Sequence, residues 1–402
     1  MKILISAYAC EPNKGSEPGV GWSWANELAK QHEVWVITRD NNKTNIEKYF
    51  AENPDLKKGN LHFVYVGLSK WLTFWKKGRR GMRPFYMMWQ HKAVSVAKKI
   101  HNENRFDLVQ HVTFVSYTQP TYMYKLKIPM IWGPIGGGEN IPESLDMGFR
   151  LIEQFTEEIR KISQKLALVT PSTKKMLEKS KAILVTTEET KAKLPQKYWD
   201  KIRIMPAIGI ESIPINHAIH RSTDKINIVM AGRLDHEKSL DIGIRAYIKA
   251  LDIVPNMELH ILGEGKKKQA LEIIAGEHLG KDIYFLPPVQ HDDIYDFYCG
   301  YDLLVNTSLR DSGCMTMMEA MSVGLPCIAI AAGGPNVLLN GTPECKVFPY
   351  SYNQCVNELA EMIVKLALNR EARIDTGKRQ EEYIVNNLTI HKKIEDIYEL
   401  YG

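Results

Sequence analysis

The sequence predicts an α/β protein of two doubly wound domains, each a parallel sheet covered by helices on both faces. Three observations carry that expectation. Short β-rich runs alternate with helical patterns, and the alternation begins again after a weakly patterned stretch. The chain has 402 residues, too many for one ordinary core and enough for two domains of about 200 each. The apolar fraction of 44% and charged fraction of 25% are those of a globular protein, not a disordered one.

In the first half, strands are expected at 3–8, 34–38, 62–66, 108–111, 130–132 and 182–185, with helices between them at 22–30 and 93–102 among others. The stretch 206–224, with two prolines, a glycine and little apolar periodicity, reads as a break. New strands follow at 226–230, 258–262, 283–286, 303–306 and 327–329, joined by helices near 240–251, 267–277, 292–299 and 315–323. The expected organisation is a first domain over 1–206, a linker at 207–224 and a second domain over 225–380. Residues 381–402 would form a C-terminal helix that returns to the first domain. From about Arg370 to Tyr401 the pattern is helical and amphipathic.

No run of about 18 uncharged apolar residues is present, so no membrane-spanning helix is expected. The opening MKILISAYACEP reads as a buried first strand rather than a signal peptide, because Glu11 and Lys14 interrupt the apolar run early. A cytoplasmic protein is the expectation. Cys10, Cys299, Cys314, Cys327, Cys345 and Cys355 show neither CxxC spacing nor a zinc-like histidine partner, so neither disulfides nor a metal site is expected. The net charge of +5 is unevenly spread. Residues 70–105 carry ten Lys or Arg against one acid, a local +9 that leaves −4 for the remainder.

In doubly wound sheets, ligands sit beyond the carboxyl ends of the strands. In the first domain that edge offers the loop Lys14-Gly15-Ser16-Glu17-Pro18-Gly19-Val20-Gly21, whose glycines suit an anion at a helix start or simply a tight turn. It also offers Gly136-Gly137-Gly138-Glu139, where three successive glycines after a buried strand fit a loop lying close to a ligand or a bare flexible loop. His111 ends a strand at the same edge; a lone histidine there is either functional or a satisfied core residue.

The second half is richer. Gly232-Arg233-Leu234-Asp235-His236-Glu237-Lys238 follows a strand, and Arg233 and Lys238 are spaced so that both cations can converge on one diphosphate. Gly263 and Gly265 mark a tight turn after the next strand. Asp311 and Glu319 are two carboxylates eight apart, flanking Gly313, Cys314, Met315 and Thr316 at a helix start suited to an anion or sugar hydroxyls. Asp311 alone also reads as a cap. Glu319 lies in an apolar segment, where a buried carboxylate needs a partner.

These motifs resemble glycosyltransferase family 4, retaining enzymes of the GT-B fold with two Rossmann-like domains facing a central cleft. The likeness runs nearly end to end. It is strongest over 306–324 with Pro326, which is similar to an acidic-x7-acidic segment followed by EAM-x-x-G-x-P, and is supported by 232–238, 262–265, 180–194, 16–24 and 132–139. The resemblance implies that Arg233 and Lys238 neutralise the donor diphosphate and the departing nucleotide. Glu319 would bind ribose hydroxyls and Asp311 the hydroxyls of the transferred sugar. The backbone at Gly313, Cys314, Met315 and Thr316 would cradle sugar and phosphate, with Gly232, Gly263 and Gly265 also on the donor side. His111 would face the donor sugar, Gly15 would lie under the diphosphate, and Glu17, Gly136, Gly137, Gly138 and Glu139 would form the acceptor side. Asp311 departs from the family's usual Glu, which bears on which sugar is carried.

The implied function is metal-independent retaining transfer of a hexosyl or N-acetylhexosaminyl group, with no cofactor, from a nucleotide-diphosphate sugar to a glycan or lipid-linked acceptor, in surface polysaccharide or glycolipid biosynthesis. No carboxylate pair is arranged for double displacement, so same-face substitution is implied, the leaving phosphate helping to deprotonate the acceptor. Two other readings remain: a nucleotide-sugar epimerase of the same fold, and a non-catalytic partner that keeps the fold for assembly. A dinucleotide dehydrogenase fails on glycine spacing. Finally, residues 70–89 interleave Trp71, Phe74, Trp75, Phe85, Tyr86 and Trp89 with Lys70, Lys76, Lys77, Arg79, Arg80 and Arg83. That suits peripheral contact with an anionic membrane, or else a helix whose aromatics face the core. No nucleic-acid signature accompanies it.

Overall fold

Strand β1 (Lys2–Ser6) is buried at every position but its first, on both faces alike, the signature of a strand covered on both sides. The same holds for β2 (Glu33–Arg39), β4 (Leu108–His111), β5 (Met130–Ile135) and β6 (Ala182–Val185). With β3 (Leu61–Val66) and β7 (Ile202–Ile204) they form a seven-stranded sheet in the order β3-β2-β1-β4-β5-β6-β7, every pair parallel. Alternate side chains feed two cores. Leu4, Ile37, Val109 and Ile183 point to one face with Trp89 and Trp132, and Ile3, Ile5, Val36 and Leu184 to the other with Trp24.

The computed structural model describes residues 1–57, 59–69, 71, 74–75, 81–114, 116–145, 149–211, 225–290 and 293–401. They form two compact units. The first comprises Met1–Gly138, Lys161–Gly209 and Ile390–Gly402; the second comprises Glu139–Arg160 and Ile210–Thr389. The sequence alone groups 1–206 together, whereas 139–160 pack with the second unit. Most of the expected linker, 212–224, lies outside the described residues.

The second unit has its own parallel sheet. Its strands are β8 (Ile226–Ala231), β9 (Met257–Leu262), β10 (Ile283–Leu286), β11 (Leu303–Asn306), β12 (Cys327–Ile330) and β13 (Lys346–Val347), ordered β10-β9-β8-β11-β12-β13. In both sheets the winding reverses once, at β1/β4 in the first and at β8/β11 in the second. Loops diverge there and leave room for a ligand at the strand ends.

The expected helical tail is broken at Leu388–Thr389, between helices Arg370–Asn387 and Ile390–Glu395. Ile390, Ile394, Ile397 and Tyr401 insert into the first unit's core, and the Tyr401 hydroxyl donates to Gln110 Oε1 at 2.8 Å. Lys393 goes in with them, 1% exposed, its Nζ donating to the carbonyls of Ala207 at 3.2 Å and Ile208 at 2.9 Å. Burial pushes this ammonium down to about 7. Between that value and the unfolded one near 10.5, the unfolded chain holds the extra proton, so stability rises with pH in this window. Chemical denaturation of wild type and Lys393→Met should therefore show wild type gaining on the variant from pH 7 to 10. A constant difference would mean that the buried amine keeps its ordinary pKa.

Candidate active site

The loops after β8 and β11 both start at the second sheet's reversal point, and the sequence candidates of this unit lie on them. Gly232 leaves β8 with φ 151°, its N–H donating to the Leu262 carbonyl at 3.0 Å. Gly263 (φ 139°) lies against it so tightly that a Cβ would fall 2.0 Å from the Gly232 oxygen. Gly265 is likewise packed against the Leu234 backbone, where a Cβ would fall 2.3 Å from the Leu234 oxygen. The two glycines therefore lock one loop to the next, a reason for glycine that needs no ligand.

Behind this lock lies the charged centre. Lys238 Nζ is 2.5 Å from Asp311 Oδ2, and both side chains are largely buried (15% and 22% exposed). The other oxygen, Asp311 Oδ1, accepts from the backbone N–H groups of Gly313 at 3.0 Å and Cys314 at 2.8 Å. Burial opposes both charges, but the partners prevail. Lys238 is raised, chiefly by Asp311, and Asp311 is lowered by Lys238 and by the two backbone donors. Cys314, the residue before helix Met315–Ser322, has φ 48°, which aims the loop into the helix at some backbone cost. Its thiol is buried and pushed up to about 12, so it stays protonated. Met315 and Thr316 open the helix and are half-buried.

Glu319 is one turn further along, 6% exposed, and its carboxyl makes no hydrogen bond or ion pair among the described residues. Burial raises it to about 7. A buried carboxyl without a partner is costly and suits a ligand that brings donors.

A second cluster adjoins the first. Arg233, half exposed, pairs with Asp235 at 2.8 Å and with Glu237. Arg310 pairs with Glu237 and with Glu157, which also meets His236 Nε2 at 3.1 Å. Lys267 pairs with Glu153 at 2.8 Å. Arg310 and residues 140–160 escaped the sequence reading; the one signal for Arg310 was a cation directly before Asp311. A cavity of about 700 Å³ lies alongside, lined by His236, Asp241, Arg245, Lys267, Tyr352 and Phe149 among others, and it includes none of Lys238, Asp311 and Glu319.

Glu139, expected on the acceptor side, belongs to this unit. It is buried, with its Cγ where a Cβ on Gly333 would meet it at 3.3 Å, and Gly333 abuts the Asp311 carbonyl. The other acceptor-side candidates lie in the first unit. Gly136 bridges Ser116, Gly137 accepts from Gln164 Nε2 at 2.7 Å, and Gly138 donates to Thr190 Oγ1 at 3.1 Å with no room for a Cβ. For Gly137 and Gly138, packing within the unit is reason enough for glycine. Gly15 precedes helix Ser16–Leu28, and Glu17 lies in its first turn.

His111 ends β4, opposite Ser6 of β1, at the first sheet's reversal point. It is 1% exposed, with Nδ1 3.2 Å from Ser6 Oγ and Nε2 3.2 Å from the Tyr86 hydroxyl, and burial holds it at about 3, hence neutral. Gln90 and Thr121 extend this buried chain. Of the basic stretch, Phe85, Tyr86 and Trp89 are on a helix (Met82–Asn104) and face the core, while Trp71 and Phe74 are exposed. Lys70, Lys76, Lys77, Arg79 and Arg80 lie outside the described residues.

Known proteins are similar to this chain in part of its sequence and in its fold. Residues 212–383 match the family of glycosyl transferases group 1. The matched segment holds Arg233, Lys238, Asp311 and Glu319, and it excludes His111 and Gly136 to Glu139. The GtfA subunit of the UDP-N-acetylglucosamine–peptide N-acetylglucosaminyltransferase of Streptococcus gordonii is 26% identical over 204 residues, 49% of this chain and 39% of that one. The sulfoquinovosyl transferase SQD2 of Arabidopsis thaliana is 28% identical over 163 residues, 40% of this chain and 30% of that one. The chain thus spans well under half the length of these relatives. Among solved structures, Anabaena HepE in complex with UDP superposes with a TM-score of 0.64 at 13% identity, covering 99% of this chain and 100% of that one. WaaG, a glycosyltransferase involved in lipopolysaccharide biosynthesis, superposes at 0.58 with 16% identity, covering 98% and 99%. Likeness at such identities is likeness of fold, and the fold is GT-B.

The charges of the matched segment have two testable consequences. Asp311→Ala strands Lys238 and two backbone donors, so it should destabilise the protein by about 3 kcal/mol in denaturant titration; a loss under about 1 kcal/mol would mean the loop is held otherwise. Glu319 burdens the unliganded fold increasingly from pH 4.5, where the unfolded carboxyl ionises, to about 7, where the folded one does. Glu319→Gln should remove that decline, and parallel stability profiles across this range would contradict the assignment.

Proposed function

We propose that the protein is a retaining glycosyltransferase that moves a sugar from a nucleotide-diphosphate donor to a glycan or lipid-linked acceptor, in surface polysaccharide or glycolipid assembly. The observation that carries the reading is the second unit's combination of a charged Lys238–Asp311 pair, an adjacent Arg233 and a buried Glu319, unpartnered among the described residues, around one strand-end reversal point. The match to glycosyl transferases group 1 over the same residues supports it, as do neighbours of the same fold whose structures hold UDP.

In this reading Lys238 and Arg233 exchange their carboxylate partners for the diphosphate and stabilise the charge that develops as the glycosidic bond to phosphate breaks. Glu319 accepts from the ribose hydroxyls, which supply the donors its buried carboxyl lacks. Asp311 already spends its oxygens on Lys238, Gly313 and Cys314. It therefore acts first by fixing the loop, and its spare lone pairs receive a sugar hydroxyl. The acceptor attacks on the face the nucleotide leaves, and the leaving phosphate takes its proton. The two cations suffice for the charge, so the transfer proceeds without a metal. The acceptor belongs to the first unit, whose exposed Trp71 and Phe74, within a basic sequence, suit contact with an anionic membrane carrying lipid-linked acceptors.

The test is product analysis with a panel of nucleotide sugars and lipid-linked or oligosaccharide acceptors, with and without chelator. The expected outcome is acceptor-dependent release of one nucleoside diphosphate, unaffected by chelator, and a product that keeps the donor's anomeric configuration. Inversion would refute the retaining mechanism. Epimerised donor without release would point to an epimerase, and no turnover of any donor to a non-catalytic partner.

A further inference from the structure

The buried hydrogen-bond chain around His111 has a direction, and the direction fixes where the imidazole carries its proton. The chain starts from two groups that can only donate, the backbone N–H groups of Tyr122 and Met123. Tyr122 N–H donates to Gln90 Oε1 at 3.4 Å. Met123 N–H donates to Thr121 Oγ1 at 3.3 Å, and the Thr121 hydroxyl donates in turn to Gln90 Oε1 at 2.7 Å. The oxygen of the Gln90 amide is thereby placed, and its nitrogen, a donor only, donates to the Tyr86 oxygen at 2.9 Å. Tyr86 accepts on that side, so its own hydroxyl hydrogen goes to its other partner, His111 Nε2, at 3.2 Å. A ring nitrogen that accepts carries no proton. The proton is therefore on Nδ1, which is 3.2 Å from Ser6 Oγ, and the Ser6 backbone is a further acceptor beside the ring.

Each member is also held by packing. Tyr86 and Gln90 are one turn apart on the inner face of helix Met82–Asn104, both fully buried. The Tyr86 ring stacks on Phe114 with centroids 3.9 Å apart, and Tyr8 meets it edge-on at 5.3 Å. Ser6 and His111 are paired across β1 and β4 at the first sheet's reversal point. Moving the proton to Nε2 would make Tyr86 accept from two donors and leave its own hydroxyl hydrogen buried without an acceptor. Charging the ring would do the same, and no carboxylate among the described residues meets the imidazole to offset it.

We propose that Tyr86 and Gln90 are positioning residues for His111: they hold its imidazole in one neutral form, protonated at Nδ1 alone, and keep it out of proton transfer at the first unit's strand-end edge. Histidine is otherwise the side chain best suited to exchange a proton near neutrality. Here Nε2 can take up a proton only by displacing the Tyr86 hydroxyl hydrogen, and Nδ1–H faces a buried serine. The inference deepens the function proposed above, and one consequence rests on it: with His111 excluded as a base, the acceptor's proton is left to the departing phosphate. The tautomer itself rests on the first unit alone.

The test is long-range proton–nitrogen correlation NMR of the full chain carrying isotopically labelled histidine, as wild type and as Tyr86→Phe, from about pH 5 to 8. His111 is identified in both by its nuclear Overhauser contact with the ring at position 86. Wild type should show a protonated Nδ1 and an unprotonated, hydrogen-bonded Nε2, both constant across the range. Tyr86→Phe keeps the ring that packs against Phe114 and Tyr8 and removes the donor. Its Nε2 signal should shift towards that of a free unprotonated nitrogen, or the proton should spread over both nitrogens. A proton on Nε2 in wild type, two tautomers in exchange, or titration of His111 within the range would overturn the proposal, as would an Nε2 signal indifferent to Tyr86→Phe. The spectra need neither donor nor acceptor, so an absence of sugar transfer would count against the function proposed above and leave this result unchanged.

Discussion

The second unit's charged strand-end edge is organised by one aspartate. Asp311 accepts from Lys238 on one oxygen and from the N–H groups of Gly313 and Cys314 on the other, while its own carbonyl accepts from Gly334 at 2.6 Å. Four pieces of chain, the segments after β8, β11 and β12 and the start of helix Met315–Ser322, thus meet at one residue, the first two and the helix through its carboxylate and the third through its carbonyl. The pair is largely shielded from water, where neither charge would persist alone, and each holds the other ionised. In the proposed reading, a diphosphate arriving at Lys238 would meet a cation already charged and would take the place of Asp311 Oδ2 beside it.

Around this centre the cations are kept in balance. Arg233, Arg310 and Lys267 each have carboxylate partners, and Glu157 and Glu153 come from the 139–160 segment, far away in sequence. Apart from those of the half-exposed Arg233, these pairs are largely buried, and burial costs the charges much of what pairing returns, so they do more to place side chains than to stabilise the fold. They also explain helix Leu151–Val169: Glu153, Glu157 and Gln164 turn inward to meet partners, so its apolar residues have no choice but to face out.

Much of the second unit was legible in the sequence because its strands are mostly apolar or alternate, as in Met257–Leu262, and its glycine-bearing loops follow them directly. Strands Ile283–Leu286 and Leu303–Asn306 and helix Leu240–Leu251 fall where periodicity puts them. What periodicity missed has physical causes. Strands β7 and β13 are only three and two residues long at sheet edges, too short to show alternation. Helix Leu151–Val169 shows a clear stripe, but its polar face is the buried one, so a reading built on apolar burial finds no place for it. Glycines carried two meanings that sequence cannot separate: Gly138, Gly263 and Gly265 serve backbone packing within their own units. His111 was legible as a strand-end residue, yet its two hydrogen bonds inside the core depend on Ser6 and Tyr86, which only the folded register brings to it. Arg310 was overlooked because its partners, Glu157 and Glu237, are 153 and 73 residues away.

The central claim is that the Lys238–Asp311 centre and Glu319 form a nucleoside diphosphate site. Calorimetric titration of a panel of nucleoside mono- and diphosphates into the full chain, with chelator present, tests it most directly. The account predicts that one diphosphate binds, that its monophosphate binds at least about tenfold more weakly, and that Lys238→Ala and Glu319→Gln each weaken the diphosphate by at least about tenfold. Equal affinity for mono- and diphosphate, or binding indifferent to both substitutions, would contradict it.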